Sequence, residues 1–147
     1  MPQCLKRLQP LAAVVSVDYY IPGCPPPREI ISAVFEAVIS GKLPEKGTVF
    51  ASEKNLCDEC PRERTEQPIT KIYRPHEIEA DPEICLLDQG LICLGPATRG
   101  GCGAACPNAN MPCTGCAGPT AGGTDQGAAL LNKVASVTGV GEEGGAG

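Results

Sequence analysis

Cysteine is the residue type whose number and spacing most clearly indicate chemistry in this sequence. Eight of the ten cysteines lie between Cys57 and Cys116, in the pattern C-x2-C-x24-C-x7-C-x8-C-x3-C-x6-C-x2-C. Four thiolates are what a protein supplies to one [4Fe–4S] cluster, so eight would serve two. The end of this stretch reads GPATRGGCGAACPNANMPCTGC and has almost no large apolar side chain. Because such a stretch cannot build an ordinary hydrophobic core, we expect an inorganic group to organise it.

Three kinds of cysteine chemistry compete, namely disulfide bonds, zinc binding and iron–sulfur binding. Zinc ribbons usually place two C-x2-C pairs about 15–20 residues apart, whereas here Cys60 and Cys113 are separated by most of the cysteine-bearing stretch. Disulfides would require export, and the apolar run at residues 11–17 only loosely imitates a signal peptide, because a proline precedes it and Asp18 follows it. The pattern favours iron–sulfur binding over zinc, and zinc over disulfides.

The eight cysteines divide in chain order into two sets of four. The first cysteine set is Cys57, Cys60, Cys85 and Cys93, and the second cysteine set is Cys102, Cys106, Cys113 and Cys116. Gly100, Gly101 and Gly103 flank Cys102, where we expect the backbone to pass close to an inorganic group without an intervening Cβ.

Cys24 is a separate candidate. It lies between Pro22-Gly23 and three prolines, after a predicted strand, at the sheet edge where α/β proteins bind ligands. We predict that it binds a third centre whose other ligands are not visible in the sequence, and a buried structural thiol is the alternative. Cys4 is predicted to be a non-ligand, and His76 is predicted to lie in an exposed loop.

The elements that must position these cysteines are few. A β-branched and aromatic run predicts a strand at residues 12–21, and paired apolar residues every four positions predict a helix at 28–40. Together they form one βα unit of a parallel sheet, which cannot bury its own faces, so its partners are expected outside this chain. A short strand is predicted at 69–73, a helical turn at 83–89 and a last helix at 125–137.

Composition narrows the classes of function. The net charge of −5 argues against nucleic-acid binding, since no basic face is available to neutralise phosphates. No apolar stretch is long enough to span a bilayer, and the expected location is the cytoplasm, where thiols stay reduced. Charged residues around the first C-x2-C, from Asp58 to Arg64, are predicted to form a solvated patch. No nucleophile–base pair stands out, so we expect electron transfer without bond chemistry.

Three segments together resemble a known family. VDYYIPGCPPP, LCDEC and CLLDQGLICLGPATRGGCGAACPNANMPCTGCAGP are similar to the small, electron-transferring subunit of [NiFe] hydrogenases. The resemblance is strongest to the cytoplasmic sulfhydrogenase and methyl-viologen-reducing type, within the NADH:ubiquinone oxidoreductase 20 kDa subunit-like family. It implies that Cys24 is the last ligand of a proximal cluster, that the first cysteine set holds a distal [4Fe–4S] cluster and that the second holds a medial [4Fe–4S] cluster.

The resemblance also implies an architecture and a set of partners. Residues 1–45 would be the last βα portion of a flavodoxin-like domain, residues 46–138 a loop-rich domain with two clusters, and residues 139–147 a disordered tail. The implied partners are the hydrogenase large subunit, a chain or segment supplying the amino-terminal flavodoxin-like half, and a redox partner that is a ferredoxin, a flavin or NAD(P) protein, or of the heterodisulfide-reductase type. The alternatives are a free-standing ferredoxin-like carrier and a zinc-stabilised interaction module.

Overall fold

The computed structural model describes residues 9–65, 67–123 and 125–138. In this part of the chain the backbone forms three α-helices, three 3₁₀ turns and isolated β-bridges, and no β-strand. Helix α1 spans Arg28–Ser40, α2 spans Ala105–Asn108 and α3 spans Gln126–Thr138, while the 3₁₀ turns are Leu11–Ala13, Leu56–Asp58 and Gly95–Ala97. Cys4 and the tail predicted to be disordered at 139–147 lie outside the described residues.

Helix α1 has the bounds that its sequence predicts. Pro27 precedes the first turn, and Gly41 ends the helix in the left-handed region at a φ of 67°, with its amide donating to the Val38 carbonyl at 3.2 Å. Its apolar face has little cover, because Ile30 is the one buried residue of the helix and the side chain of Ile39 is 83% exposed. The expectation that residues outside this chain cover the face stays a prediction.

The predicted strand at residues 12–21 is wrong. Its first residues form the 3₁₀ turn Leu11–Ala13, and its end makes one parallel bridge between Tyr20 and Val49. In that bridge the Tyr20 amide donates to the Thr48 carbonyl at 3.0 Å, and the Phe50 amide donates to the Tyr20 carbonyl at 2.9 Å. A strand needs a continuous ladder of backbone partners, and the described residues supply only this one bridge.

The second predicted strand, at 69–73, is also reduced to a single bridge, between Tyr73 and Leu91. The helical turn predicted at 83–89 is present, since the Gln89 amide donates to the Cys85 carbonyl at 3.2 Å. Helix α3 begins one residue later than predicted, because the Asp125 carboxylate accepts a hydrogen bond from the Ala128 amide at 3.0 Å and caps the first turn.

The core of the molecule lies in the cysteine-bearing region. Its buried members are Leu56, Ile69, Ala80, Leu86, Leu87, Leu91, Cys93, Ala104 and Cys113. Val134 and Val137 of α3 pack against this cluster, and the Ile69 amide donates to the Val137 carbonyl at 2.8 Å, so α3 folds back over the core. Cysteines and leucines therefore share one interior. None of the described helices is long and apolar enough to cross a lipid bilayer.

Candidate metal centre

The first cysteine set surrounds a common space. Its four thiols line one cavity of about 40 Å³. Cys57 reaches the cavity from the 3₁₀ turn Leu56–Asp58, while Leu86 and Leu87 form part of the wall beside Cys85. Separate parts of the sequence thus place their cysteines around one point of the core.

Gly95 shows how closely the backbone approaches two of these sulfur atoms. A Cβ at this position would lie 3.1 Å from the Cys57 sulfur and 3.6 Å from the Cys93 sulfur. A larger residue would crowd the Cys57 sulfur and contact the Cys93 sulfur. The glycine therefore keeps room beside the sulfur atoms, as a bound inorganic group requires.

Burial alters the acidity of these thiols. It raises the pKa of Cys57 to about 11, although the neighbouring Arg64 guanidinium acts in the opposite direction. Burial also raises the pKa of Cys85. A thiol of raised pKa stays neutral at neutral pH unless a cation compensates its negative charge, and metal ions do so when they bind thiolates. The four cysteine sulfurs around one cavity are donors of the kind that bind a metal-containing group.

The second cysteine set lies next to the first. Cys106 is in α2, and its pKa is raised by burial and then by the neighbouring thiols of Cys116 and Cys102. Cys113 is buried, and its pKa is likewise raised by burial, with the Gly115 amide donating to its sulfur at 3.4 Å. The Cys113 amide in turn donates to the Cys93 sulfur at 3.3 Å, so the two sets meet at Cys93 and Cys113.

Cys24 lies apart, exposed on a tight turn. Gly23 has a φ of +122°, and a Cβ there would lie 2.6 Å from the Pro26 Cα, so the turn requires glycine. Across residues 9–65, 67–123 and 125–138, no three His, Cys, Asp or Glu side chains converge as closely as the ligands of a single metal ion. The third centre at Cys24 stays a prediction, as does the assignment of ligands to the two sets. His76 is exposed, as its sequence context predicts.

No protein-family model matches the chain. Individual relatives do match. The chain is 42% identical over 142 residues to the iron-sulfur G subunit of the F420-non-reducing hydrogenase of Archaeoglobus profundus. The aligned region covers 93% of this chain and 44% of that protein. It is 33% identical over 119 residues to the delta subunit of sulfhydrogenase 2 of Pyrococcus furiosus, covering 81% of this chain and 41% of that protein.

A third relative is covered over most of its length. The G subunit of the F420-non-reducing hydrogenase of Methanothermus fervidus is 45% identical over 86 residues, which is 56% of this chain and 68% of that protein. The chain belongs to the family of F420-non-reducing hydrogenase G subunits. It spans less than half the length of several other G subunits that it matches.

In this hydrogenase family member, the prediction of a solvated patch around the first C-x2-C is wrong for two charged side chains, Arg62 and Glu59. The Arg62 guanidinium donates to the Pro107 carbonyl at 2.8 Å, to the Asp81 carbonyl at 2.7 Å and to the Asn110 side-chain oxygen at 2.7 Å. Arg62 thus joins the first cysteine loop to the segment around α2. Asp58 does lie exposed, where its carboxylate accepts from the Asn55 amide at 3.0 Å.

Glu59 is the second correction. Its half-buried carboxylate accepts hydrogen bonds from the amides of Gly101, Cys102 and Ala104. Sequence reasoning missed both residues because their partners lie 19 to 48 positions away along the chain, where no local pattern reveals them. The one available signal was their position within and just after a C-x2-C pair.

Proposed function

We propose that this hydrogenase family member is an electron-transferring subunit of a [NiFe] hydrogenase and relays electrons through two [4Fe–4S] clusters. The observation that carries the proposal is the gathering of the first cysteine set around one cavity of the core. The family of the chain supplies the second support, since its relatives are named as hydrogenase subunits.

In this proposal each cysteine set holds one cluster. The distal cluster would be bound by Cys57, Cys60, Cys85 and Cys93, and the medial cluster by Cys102, Cys106, Cys113 and Cys116. Cys24 would contribute one ligand to a third, proximal cluster, with the remaining ligands supplied from outside the described residues. Contact between the two sets at Cys93 and Cys113 supports electron exchange between the clusters.

A [4Fe–4S] cluster supplies one-electron chemistry at a potential that its surroundings adjust. The residues of this chain contribute the surroundings. Leu86 and Leu87 limit the access of water to the first cysteine set. The amides of Gly115 and Cys113 donate to sulfur atoms, which favours the more negative state of a bound group. No step on this chain makes or breaks a substrate bond in this proposal.

The proposal extends to the fold and the partners. Residues 1–45 would be the final portion of a flavodoxin-like domain, whose strand would form only on pairing with another segment or chain, and the cluster domain would extend over residues 46–138. The exposed apolar side chains of α1, including Phe35 and Ile39, support a covering partner. Hydrogen would be split on a large subunit, and a cytoplasmic ferredoxin, flavin or NAD(P) protein, or heterodisulfide-reductase-type protein would accept the electrons.

The test is oxygen-free affinity purification of the chain from its own cells, followed by analysis of the metals and proteins that come with it. We expect iron and acid-labile sulfide on this chain and a second, nickel-containing chain bound to it, with bleaching of the visible absorbance under hydrogen. A free-standing ferredoxin-like carrier would contain iron without a nickel partner, and a zinc module would be colourless. Either result would contradict the proposal.

A further inference from the structure

The carboxylate of Glu59 connects the two cysteine sets. Glu59 belongs to the first C-x2-C pair, yet its oxygens accept from the Gly101 amide at 2.9 and 3.0 Å, from the Cys102 amide at 3.2 Å and from the Ala104 amide at 3.3 Å. These three donors enclose the Cys102 position of the second set. One side chain thereby holds the loop that presents a predicted ligand of the neighbouring cluster.

The backbone of this loop is shaped to receive an anion. Gly101, Gly103 and Ala104 have φ values of +110°, +62° and +53°, and a backbone that turns in this way can direct neighbouring amides toward one point. A Cβ on Gly100 would lie 3.1 Å from the Glu59 carboxyl carbon, so glycine allows the carboxylate to approach. Nests of backbone amides also occur around iron–sulfur sites, where they donate to the inorganic group. Here Glu59 occupies the amides instead.

The charge of Glu59 lies next to a predicted ligand. Its Oε1 is 3.8 Å from the Cys102 sulfur, and the residue is half-buried, where solvent screens the charge less than at an exposed site. Among the described residues, no lysine, arginine or histidine forms an ion pair with Glu59. Reduction adds one electron to a cluster. A nearby negative charge therefore destabilises the reduced state more than the oxidised state.

We propose that Glu59 is a positioning residue that fixes the Cys102 loop and lowers the reduction potential of the group held by the second cysteine set. Two effects of Glu59 act in the same direction. Its negative charge disfavours the added electron, and its occupation of the amides withholds hydrogen bonds that would stabilise the reduced cluster. The inference rests on the proposed function, because it requires clusters at both cysteine sets.

The test is a redox titration of the purified chain with dithionite as the reductant, monitored by electron paramagnetic resonance. Glu59→Gln removes the charge and keeps the size of the side chain. We expect this variant to raise the equilibrium constant for reduction of one of the two clusters at least tenfold. For a one-electron step this is a rise of about 59 mV in the reduction potential. The affected signal is assigned by repeating the titration in Cys85→Ala, which removes a predicted ligand of the other cluster.

Two further variants separate charge from general disturbance. Asp58→Asn removes the same charge from the same C-x2-C pair, but from an exposed side chain, and should change neither equilibrium more than twofold. Glu59→Asp keeps the charge but weakens the hold on the amides, so it should favour reduction more than Asp58→Asn does and less than tenfold, and it also serves if Glu59→Gln fails to fold. Equal shifts in Asp58→Asn and Glu59→Gln, or a tenfold shift in Glu59→Asp, would overturn the inference.

The outcomes also distinguish this inference from the proposed function. A wild-type chain that binds no iron would overturn both. A wild-type chain with two clusters and a Glu59→Gln variant with unchanged potentials would overturn the role of Glu59 alone.

Discussion

Residues 9–51 and residues 52–138 bury their apolar side chains to very different extents. In the first region, Phe35 is 62% exposed and Ile39 is 83% exposed, although both lie on the apolar face of a regular helix. In the second, Leu86 is 1% exposed and Leu91 is 2% exposed, although both lie outside the helices and 3₁₀ turns. Good local structure therefore does not supply a core here, and the core forms where cysteines meet leucines.

The largest expected effect concerns the cysteines of the two regions. Cys85→Ala removes one of four predicted cluster ligands in the core, so we expect loss of about half of the iron, or about four atoms per chain. In the chain purified without the partners that would supply the other ligands of the third cluster, Cys24→Ala alters an exposed thiol outside both sets and should leave the iron content unchanged. The two variants are purified without oxygen, and their iron and sulfide contents per chain are measured. Equal iron losses would contradict the comparison.

The next largest difference between the two regions is expected in the stability cost of shortening an apolar side chain. Leu86→Ala leaves a cavity in the core and should lower the free energy of unfolding by about 2–5 kcal/mol. Ile39→Ala removes a similar side chain from the exposed face of α1 and should change it by less than about 0.5 kcal/mol in the chain alone. Urea unfolding without oxygen measures both. A cost at Ile39 near that at Leu86 would mean that α1 is already covered.

Arg62 and Arg28 offer a matched pair of cations. Arg62→Met breaks hydrogen bonds to the Pro107 and Asp81 carbonyls. We therefore expect the free energy of unfolding to fall by about 2–3 kcal/mol. Arg28 in the first region pairs only with the exposed Glu29 among the described residues, and Arg28→Met should cost less than about 0.5 kcal/mol. The midpoints of urea unfolding of the two variants measure this difference. Equal midpoints would show that the Arg62 hydrogen bonds do not stabilise the fold.

Thr98 gives the smallest expected effect. Its buried hydroxyl donates to the Leu94 carbonyl at 2.6 Å and accepts from the Gln126 side chain at 2.8 Å, which joins α3 to the core. Thr98→Val should cost about 1–2 kcal/mol, because both partners lose a hydrogen bond. The exposed Thr70→Val is the control and should be nearly neutral. A neutral Thr98→Val would mean that α3 is attached by apolar contacts alone.

The sequence predicts α1 and α3 well because their signals are local, whereas it does not predict the four-residue helix α2. Pro27, the paired apolar residues and Gly41 define α1 without reference to the rest of the chain. The strand predicted at 12–21 fails because a strand depends on distant partners, and only Val49 supplies one among the described residues. The same limit applies to the site. Cysteine spacing indicates two sets of four, whereas the amides that bind Glu59 depend on long-range folding of the chain.

The central claim is that metal clusters bound by cysteines form the interior of residues 52–138. Hydrogen–deuterium exchange of the oxygen-free protein, before and after iron is removed with a chelator, tests it most directly. We predict that the amides of Leu56, Leu91 and Leu94, which donate to backbone carbonyls, are protected in the iron-loaded protein and lose that protection on iron removal, while exchange in α1 stays unchanged. Unchanged protection of the three leucines after iron removal, or equal protection in protein isolated without iron, would contradict the claim.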